Sequence, residues 1–261
     1  MTGGLPRRAF VRQIMGLPVS VHVRGPKARG PEVAALVEAA FTALRADEDT
    51  FSTWRYGSAV SRIRRGELSL AEAGARVREV ALLCEEASAR TGGAFSGWLP
   101  GGPGGVVAFD PTGVVKGWAV ERAFTELSDR LAGHDILVSA GGDVLVACDR
   151  TDTPDWTVAV EDPVDRARVV LTVPMRRGAV ATSGTAARGN HIVDPATRAA
   201  PTGLLSATVI GPHLTWADIY ATAAFVHGHA AGAWIATVPD HAAVLVTSVG
   251  TVLRIHPGFV T

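Results

Sequence analysis

The sequence predicts an α+β fold in which antiparallel sheet and packed helices form a single intertwined unit, and three observations lead there. Apolar residues recur at helical spacing through much of the first half of the chain, short β-branched runs set off by glycine, proline or aspartate fill much of the second, and no internal repeat or clear linker divides them. With 261 residues, 47% of them hydrophobic, the chain can bury a substantial core and is expected to form one domain over residues 1–261.

The elements follow in order. Ala9 to Arg24 alternates loosely and is split by Gly16 and Pro18, the pattern of a strand hairpin. Pro31 opens a helix, since its fixed φ suits a first helical position, and Val33, Leu36, Val37, Ala40, Phe41 and Leu44 give it one apolar stripe. The acidic run Asp47, Glu48, Asp49 is expected to end it. A second amphipathic helix covers about Ala71 to Arg90 before Gly92 and Gly93, and a third runs from about Lys116 to Leu131 before Gly133. Between them, Gly97 to Gly105 reads as a surface loop. Asp135 to Ser139, Val144 to Cys148, Trp156 to Glu161, Val169 to Val173 and Ala179 to Thr182 read as strands of an antiparallel sheet. A helix from near Trp216 and a strand pair, Ala243 to Ser248 and Thr251 to His256 around Gly250, complete the pattern. Ile219 to Val238 carries no Asp, Glu, Lys or Arg over a length that could cross a bilayer, but Gly228 and the flanking His227 and His229 interrupt it. A buried helix, a turn and a second element are expected there, not a membrane span.

Composition excludes several function classes. Twenty-five basic and 25 acidic residues cancel, so the field that gathers nucleic-acid phosphate is absent and no nucleic-acid partner is expected. Cys84 and Cys148 form neither a disulfide framework nor a metal knuckle and read as buried thiols. The N-terminal segment has paired arginines with no continuous apolar run behind them, so a secretory signal is not expected and a cytoplasmic location is.

Chemistry gathers at a few places. Gly92-Gly93-Ala94-Phe95, Gly113-Val114-Val115-Lys116-Gly117 and Gly141-Gly142-Asp143 are glycine-rich, but neither a dinucleotide-binding fingerprint nor a phosphate-binding loop motif occurs. Only Lys27 and Lys116 are lysines among 25 basic residues. A composition that avoids lysine makes Lys116, set at a predicted helix start, a candidate point charge for a phosphate or a buried carboxylate, against the alternative of a solvated surface charge. His191 precedes Asp194-Pro195, a turn signal, and is either a base oriented by the nearby carboxylate or a structural histidine. Asp218 and Thr222 stand one helical turn apart on one face. Such oxygen donors suit a hard cation such as Mg²⁺, although an acidic residue near a helix start also favours the dipole. His227 and His229, two apart, make a weak zinc pair.

Taken in order, Met15-Gly16, FSTWRYGS from Phe51, TGGAFS from Thr91, FDPTGVVKGWAVERA from Phe109, SAGGD from Ser139, AVATSG from Ala179, HIVDPATRAAPTG from His191 and ADIYAT from Ala217 resemble the FAD:protein FMN transferases of the ApbE family. The resemblance implies a Mg²⁺-dependent transferase that takes FAD as substrate, cuts its pyrophosphate and attaches FMN through a phosphoester to a threonine of an acceptor protein, releasing AMP. It implies that Met15, Trp54, Ala94, Phe95, Ser96, Asp110, Lys116, His191 and Ile192 line the flavin nucleotide site. It further implies that Gly113, through its carbonyl, holds the metal with Asp218 and Thr222, and that Lys116 and His191 serve the chemistry, His191 as base. The chain departs from the family pattern at Ser96, where an aspartate is usual, at Trp54, where tyrosine is common, at Ser58-Ala59, which lacks a glutamate, and at Arg198, which replaces a glycine. Two other outcomes remain open: an FAD pyrophosphatase that yields FMN and AMP, and a non-catalytic flavin-binding protein.

Overall fold

The computed structural model describes residues 5–100, 107–185 and 192–255. Strands β1 (Arg7–Ile14) and β2 (Leu17–Arg24) pair from Arg7 opposite Arg24 to Ile14 opposite Leu17. Met15 and Gly16 make the two-residue turn with φ of 56° and 71°, the positive values a tight hairpin of this length uses.

Helix α1 (Pro31–Phe51) runs straight through the acidic residues expected to stop it. Asp47 is fully buried and pairs with Arg76 at 2.9 Å and with Arg122. A buried carboxylate is tolerated when paired, so this residue ties α1 to the helices behind it. Helix α2 (Ala59–Arg64), not anticipated from the sequence, is capped by the Ser58 side chain, which accepts from the Ser61 N–H at 3.0 Å. Helix α3 (Ala75–Arg90) follows. The expected loop after it is partly strand: β3 (Trp98–Pro100) pairs with β4 (Val107–Phe109). Helix α4 (Thr112–Arg130) starts one turn earlier than expected, which moves Lys116 from the helix start into its second turn.

The remaining strands are β5 (Asp135–Ala140), β6 (Asp143–Cys148), β7 (Trp156–Glu161), β8 (Val169–Met175), β9 (Arg177–Gly184) and β10 (Leu204–Gly211). Helix α5 (Leu214–His227), a 3-10 turn at Gly228–Ala230 and α6 (Ala231–Ile235) bear out the buried helix, turn and second element read from the sequence. Strands β11 (Ala242–Thr247) and β12 (Val252–Ile255) follow. Eight strands form one antiparallel sheet in the order β1-β2-β5-β6-β9-β10-β11-β12.

The sheet is covered on both faces. The main core joins residues of the helices, such as Val37, Phe41, Ala119 and Ile219, to strand residues such as Val21, Ile136 and Val209. A smaller cluster of Val144, Val146, Val158, Met175 and Val180 lies where the β7-β8 hairpin packs on the central strands. Cys84 is buried, and burial pushes its thiol up to about 12, whereas Cys148 is only half-buried, correcting the expectation for it. Among the described residues, no helix is long and apolar enough to cross a membrane.

Candidate active site

Helix α5 is apolar on nearly every side, the pattern of a helix enclosed by protein, and Asp218 is its one carboxylate. It crosses α4 at close range: a Cβ added to Gly117 would lie 3.1 Å from Thr215 Cα and 3.2 Å from Asp218 Cβ. Glycine there lets the two backbones nearly touch and brings Lys116 against the acidic turn of α5.

The Lys116 ammonium pairs with Asp143 and lies 3.2 Å from Asp218 Oδ1. Asp143 opens β6 just after the Gly141-Gly142 turn, is 2% exposed, and accepts the Thr182 backbone N–H at 3.0 Å through its other oxygen. Asp218 Oδ2 is buried and has no hydrogen-bond partner among the described residues. Two buried carboxylates facing one ammonium leave a negative charge uncompensated, which is costly unless a further cation shares the site. One turn along α5, the Thr222 hydroxyl meets Ser183 Oγ at 3.0 Å. Asp218 lies beyond the first turn of α5, where a helix dipole loses its influence, so the dipole alternative does not account for it.

The Thr91–Ser96 turn approaches the same helix end. Phe95 is buried, donates its N–H to Thr91 Oγ1 at 3.0 Å, and sets its ring against Gly113, in the first turn of α4. Ala94 is buried beside it. The Ser96 hydroxyl donates to the Trp98 carbonyl at 2.9 Å and accepts the Trp98 N–H at 3.1 Å, so it is engaged within its own turn. Asp110 accepts both the N–H and the hydroxyl of Thr112 and forms a 2.6 Å ion pair with Arg64. Its carboxylate therefore fastens the start of α4 to α2.

The other expected site residues make no hydrogen bond or ion pair to this cluster among the described residues, or lie outside them. Met15 packs at the edge of the main core from the first hairpin turn, and Ile192 is half-buried against that core. Trp54 is 94% exposed in the segment after α1. His191 lies outside the described residues. Asp194 accepts the Ala196 N–H at 2.8 Å and the Thr197 hydroxyl at 2.9 Å, and these bonds hold its carboxyl below the usual range while closing the expected turn. His227 is half-buried, with its pKa lowered by burial, while His229 is exposed. Among the described residues, no three His, Cys, Asp or Glu side chains converge on a metal position.

Sequence reasoning missed Asp143 and Arg64 as parts of this assembly. The signal for Asp143 was available in SAGGD, where an aspartate follows two glycines directly into an apolar strand, but a turn explains the same letters.

The sequence profile of the ApbE family matches residues 102–246, more than half of the chain. The chain belongs to the ApbE family. The matched span contains Gly113, Lys116, Asp143, Ser183, Asp218 and Thr222, whereas Met15, Trp54 and Ala94 to Ser96 precede it. A FAD:protein FMN transferase from Rhodobacter capsulatus is 35% identical over 132 residues, 47% of this chain and 24% of that protein, so the chain matches about a quarter of that relative's length. Solved ApbE structures share the fold. The ApbE protein from Thermotoga maritima superposes with a TM-score of 0.83 at 22% identity, covering 96% of this chain and 97% of its own. The apo form of a flavinyl transferase ApbE from Pseudomonas stutzeri gives 0.81 at 22% identity, covering 98% and 96%. A flavin transferase ApbE from Vibrio cholerae gives 0.78 at 20%, covering 96% and 97%. The antiparallel sheet with packed helices is thus the ApbE architecture.

Proposed function

We propose that this ApbE-family chain acts over residues 1–261 as one Mg²⁺-dependent FAD:protein FMN transferase domain, joining FMN to an acceptor threonine and releasing AMP. The observation that carries the reading is the buried Asp143-Lys116-Asp218 group, whose surplus negative charge and unpartnered Asp218 Oδ2 fit a cation donor set. Asp218, the Thr222 hydroxyl and the Gly113 carbonyl would hold the ion. A hard cation accepts few protein oxygens and keeps its waters, so the lack of a converging cluster among the described residues is compatible with Mg²⁺. When bound, Mg²⁺ supplies Lewis-acid neutralisation of pyrophosphate charge.

The chain's own residues do the rest. Phe95 and Ala94 offer an apolar wall at the start of α4, and exposed Trp54 offers an aromatic face for stacking on flavin. Lys116 places a positive charge beside the phosphates. The threonine oxygen attacks the FMN phosphorus, the bond to the bridging oxygen breaks, and AMP leaves with that oxygen while His191 takes the hydroxyl proton. Ser96, where the family usually has aspartate, is occupied with Trp98, so flavin recognition here rests on the neighbouring apolar and backbone groups.

The test is incubation with FAD and Mg²⁺, with and without a peptide carrying a candidate acceptor threonine, followed by nucleotide chromatography and mass spectrometry of the peptide. Equimolar AMP and a peptide heavier by FMN are expected. FMN and AMP with an unmodified peptide would reassign the chain as a pyrophosphatase, and FAD bound but intact would make it a flavin-binding protein.

A further inference from the structure

Asp143 is the buried residue of this group that the proposed reaction does not use. Its two oxygens are divided between the Thr182 backbone N–H and the Lys116 ammonium. Thr182 belongs to β9, and β6 pairs directly with β9, with Val144 opposite Val180, so Asp143 is held by the central strands rather than by a loop. Lys116 belongs to α4 and is 21% exposed, while Asp218 belongs to α5. The ammonium therefore rests between a carboxylate fixed to the sheet and another on a helix.

Asp218 is divided in a different way. Oδ1 faces Lys116 and Oδ2 faces no partner among the described residues. A lysine held by Asp218 alone would compete with any cation for that carboxylate, because two positive charges would then share one negative one. A lysine anchored on Asp143 leaves the charge of Asp218 available.

We propose that Asp143 is a positioning residue: it anchors Lys116 to the sheet so that Asp218 can give one oxygen to a divalent cation while the ammonium stays in place beside it. This rests on the metal reading given above, and it is tested without turnover. Because the chain has only two lysines and Lys27 is exposed, growth on ¹⁵N-lysine yields a side-chain ammonium spectrum of two residues. Lys116→Arg assigns the signals. Wild-type protein is expected to give a slowly exchanging Lys116 signal that shifts but persists on addition of Mg²⁺.

Asp143→Asn keeps the side-chain shape and an oxygen for Thr182. It is expected to speed exchange of the Lys116 signal and weaken Mn²⁺ binding, read by electron paramagnetic resonance, by about tenfold, because the released ammonium turns to Asp218 and competes with the cation for it. Asp143→Glu should recover part of both. In the Lys116→Gln background, Asp143→Asn should change Mn²⁺ affinity by only about threefold or less if Asp143 works through the lysine. An equal loss in both backgrounds, an unchanged Lys116 signal in Asp143→Asn, or loss of that signal on adding Mg²⁺ would each overturn the proposal. An Asp143-dependent Lys116 signal in a wild-type protein that binds no Mn²⁺ would leave the anchor standing and remove the metal reading instead.

Discussion

The Phe95 ring lies against Gly113 so closely that a Cβ on residue 113 would come within 2.9 Å of Phe95 Cε2. The turn that brings in Phe95 and the helix end that brings in Lys116 are thereby packed as one piece. Gly113→Ala gains helix propensity of up to about 1 kcal/mol but must displace the ring. The expected result is a nearly unchanged melting temperature with a raised KM for FAD. An unchanged KM would separate Phe95 from flavin recognition.

On the proposed metal reading, Asp218 sets function against stability. Asp218→Asn removes the surplus buried charge and leaves Lys116 paired with Asp143 alone, so without metal the variant is expected to be more stable by about 1 kcal/mol, raising Tm by about 2–4 °C. Cation-dependent FAD cleavage should meanwhile fall by about a hundredfold or more. Calorimetry in EDTA and nucleotide chromatography in Mg²⁺ read the two effects, and full cleavage by the variant would refute the metal assignment.

Trp54, at 94% exposure, makes little contact with the rest of the protein, so Trp54→Ala is expected to leave Tm unchanged. If the indole stacks on the flavin or adenine ring, FAD binding weakens by about tenfold, within the range of base-aromatic stacking. Fluorescence titration with FAD decides, and equal affinities would remove Trp54 from the site.

Burial lowers the pKa of His22, His227 and His241 below the ordinary 6.5. The unfolded chain therefore takes up these protons before the folded protein does. Stability from the three neutral rings is complete above pH 6.5 and is lost as pH falls through that value toward their folded pKa. Tm should decline between about pH 7.5 and pH 5.5, and the double variant His227→Gln/His241→Asn should flatten the profile. A Tm that rises on acidification over that interval would contradict the assignment.

Much of the fold was legible because periodicity reports burial on one side. The strand Trp156 to Glu161 alternates and was placed to the residue, and the i, i+4 spacing of Asp218 and Thr222 correctly put them on one face of α5. Strand β10 was missed because burial extends along most of Leu204–Gly211, so no alternation marks it. The end of α1 was misplaced because Asp47 looks like a solvated terminus until Arg76 and Arg122, distant in sequence, arrive to pair with it. Asp143 was hidden for the same reason. Its letters describe a turn, and only the approach of Lys116 and Thr182 turns it into an ion-pair partner.

The Lys116 contact with Asp218 spans 102 positions, whereas its contact with Asp143 spans 27. On a ribosome that adds about 5–20 residues each second, the Lys116-Asp143 pair can form on the order of several seconds before Asp218 is even synthesised. The Lys116-Asp143 pair is neutral by itself, and the electronegative pocket is created only when α5, a helix with almost no polar surface, docks against α4 and the sheet. On the proposed metal reading, the cation position is therefore completed late in synthesis, and a chain ending before Leu214 would lack Asp218 and offer no place for the ion.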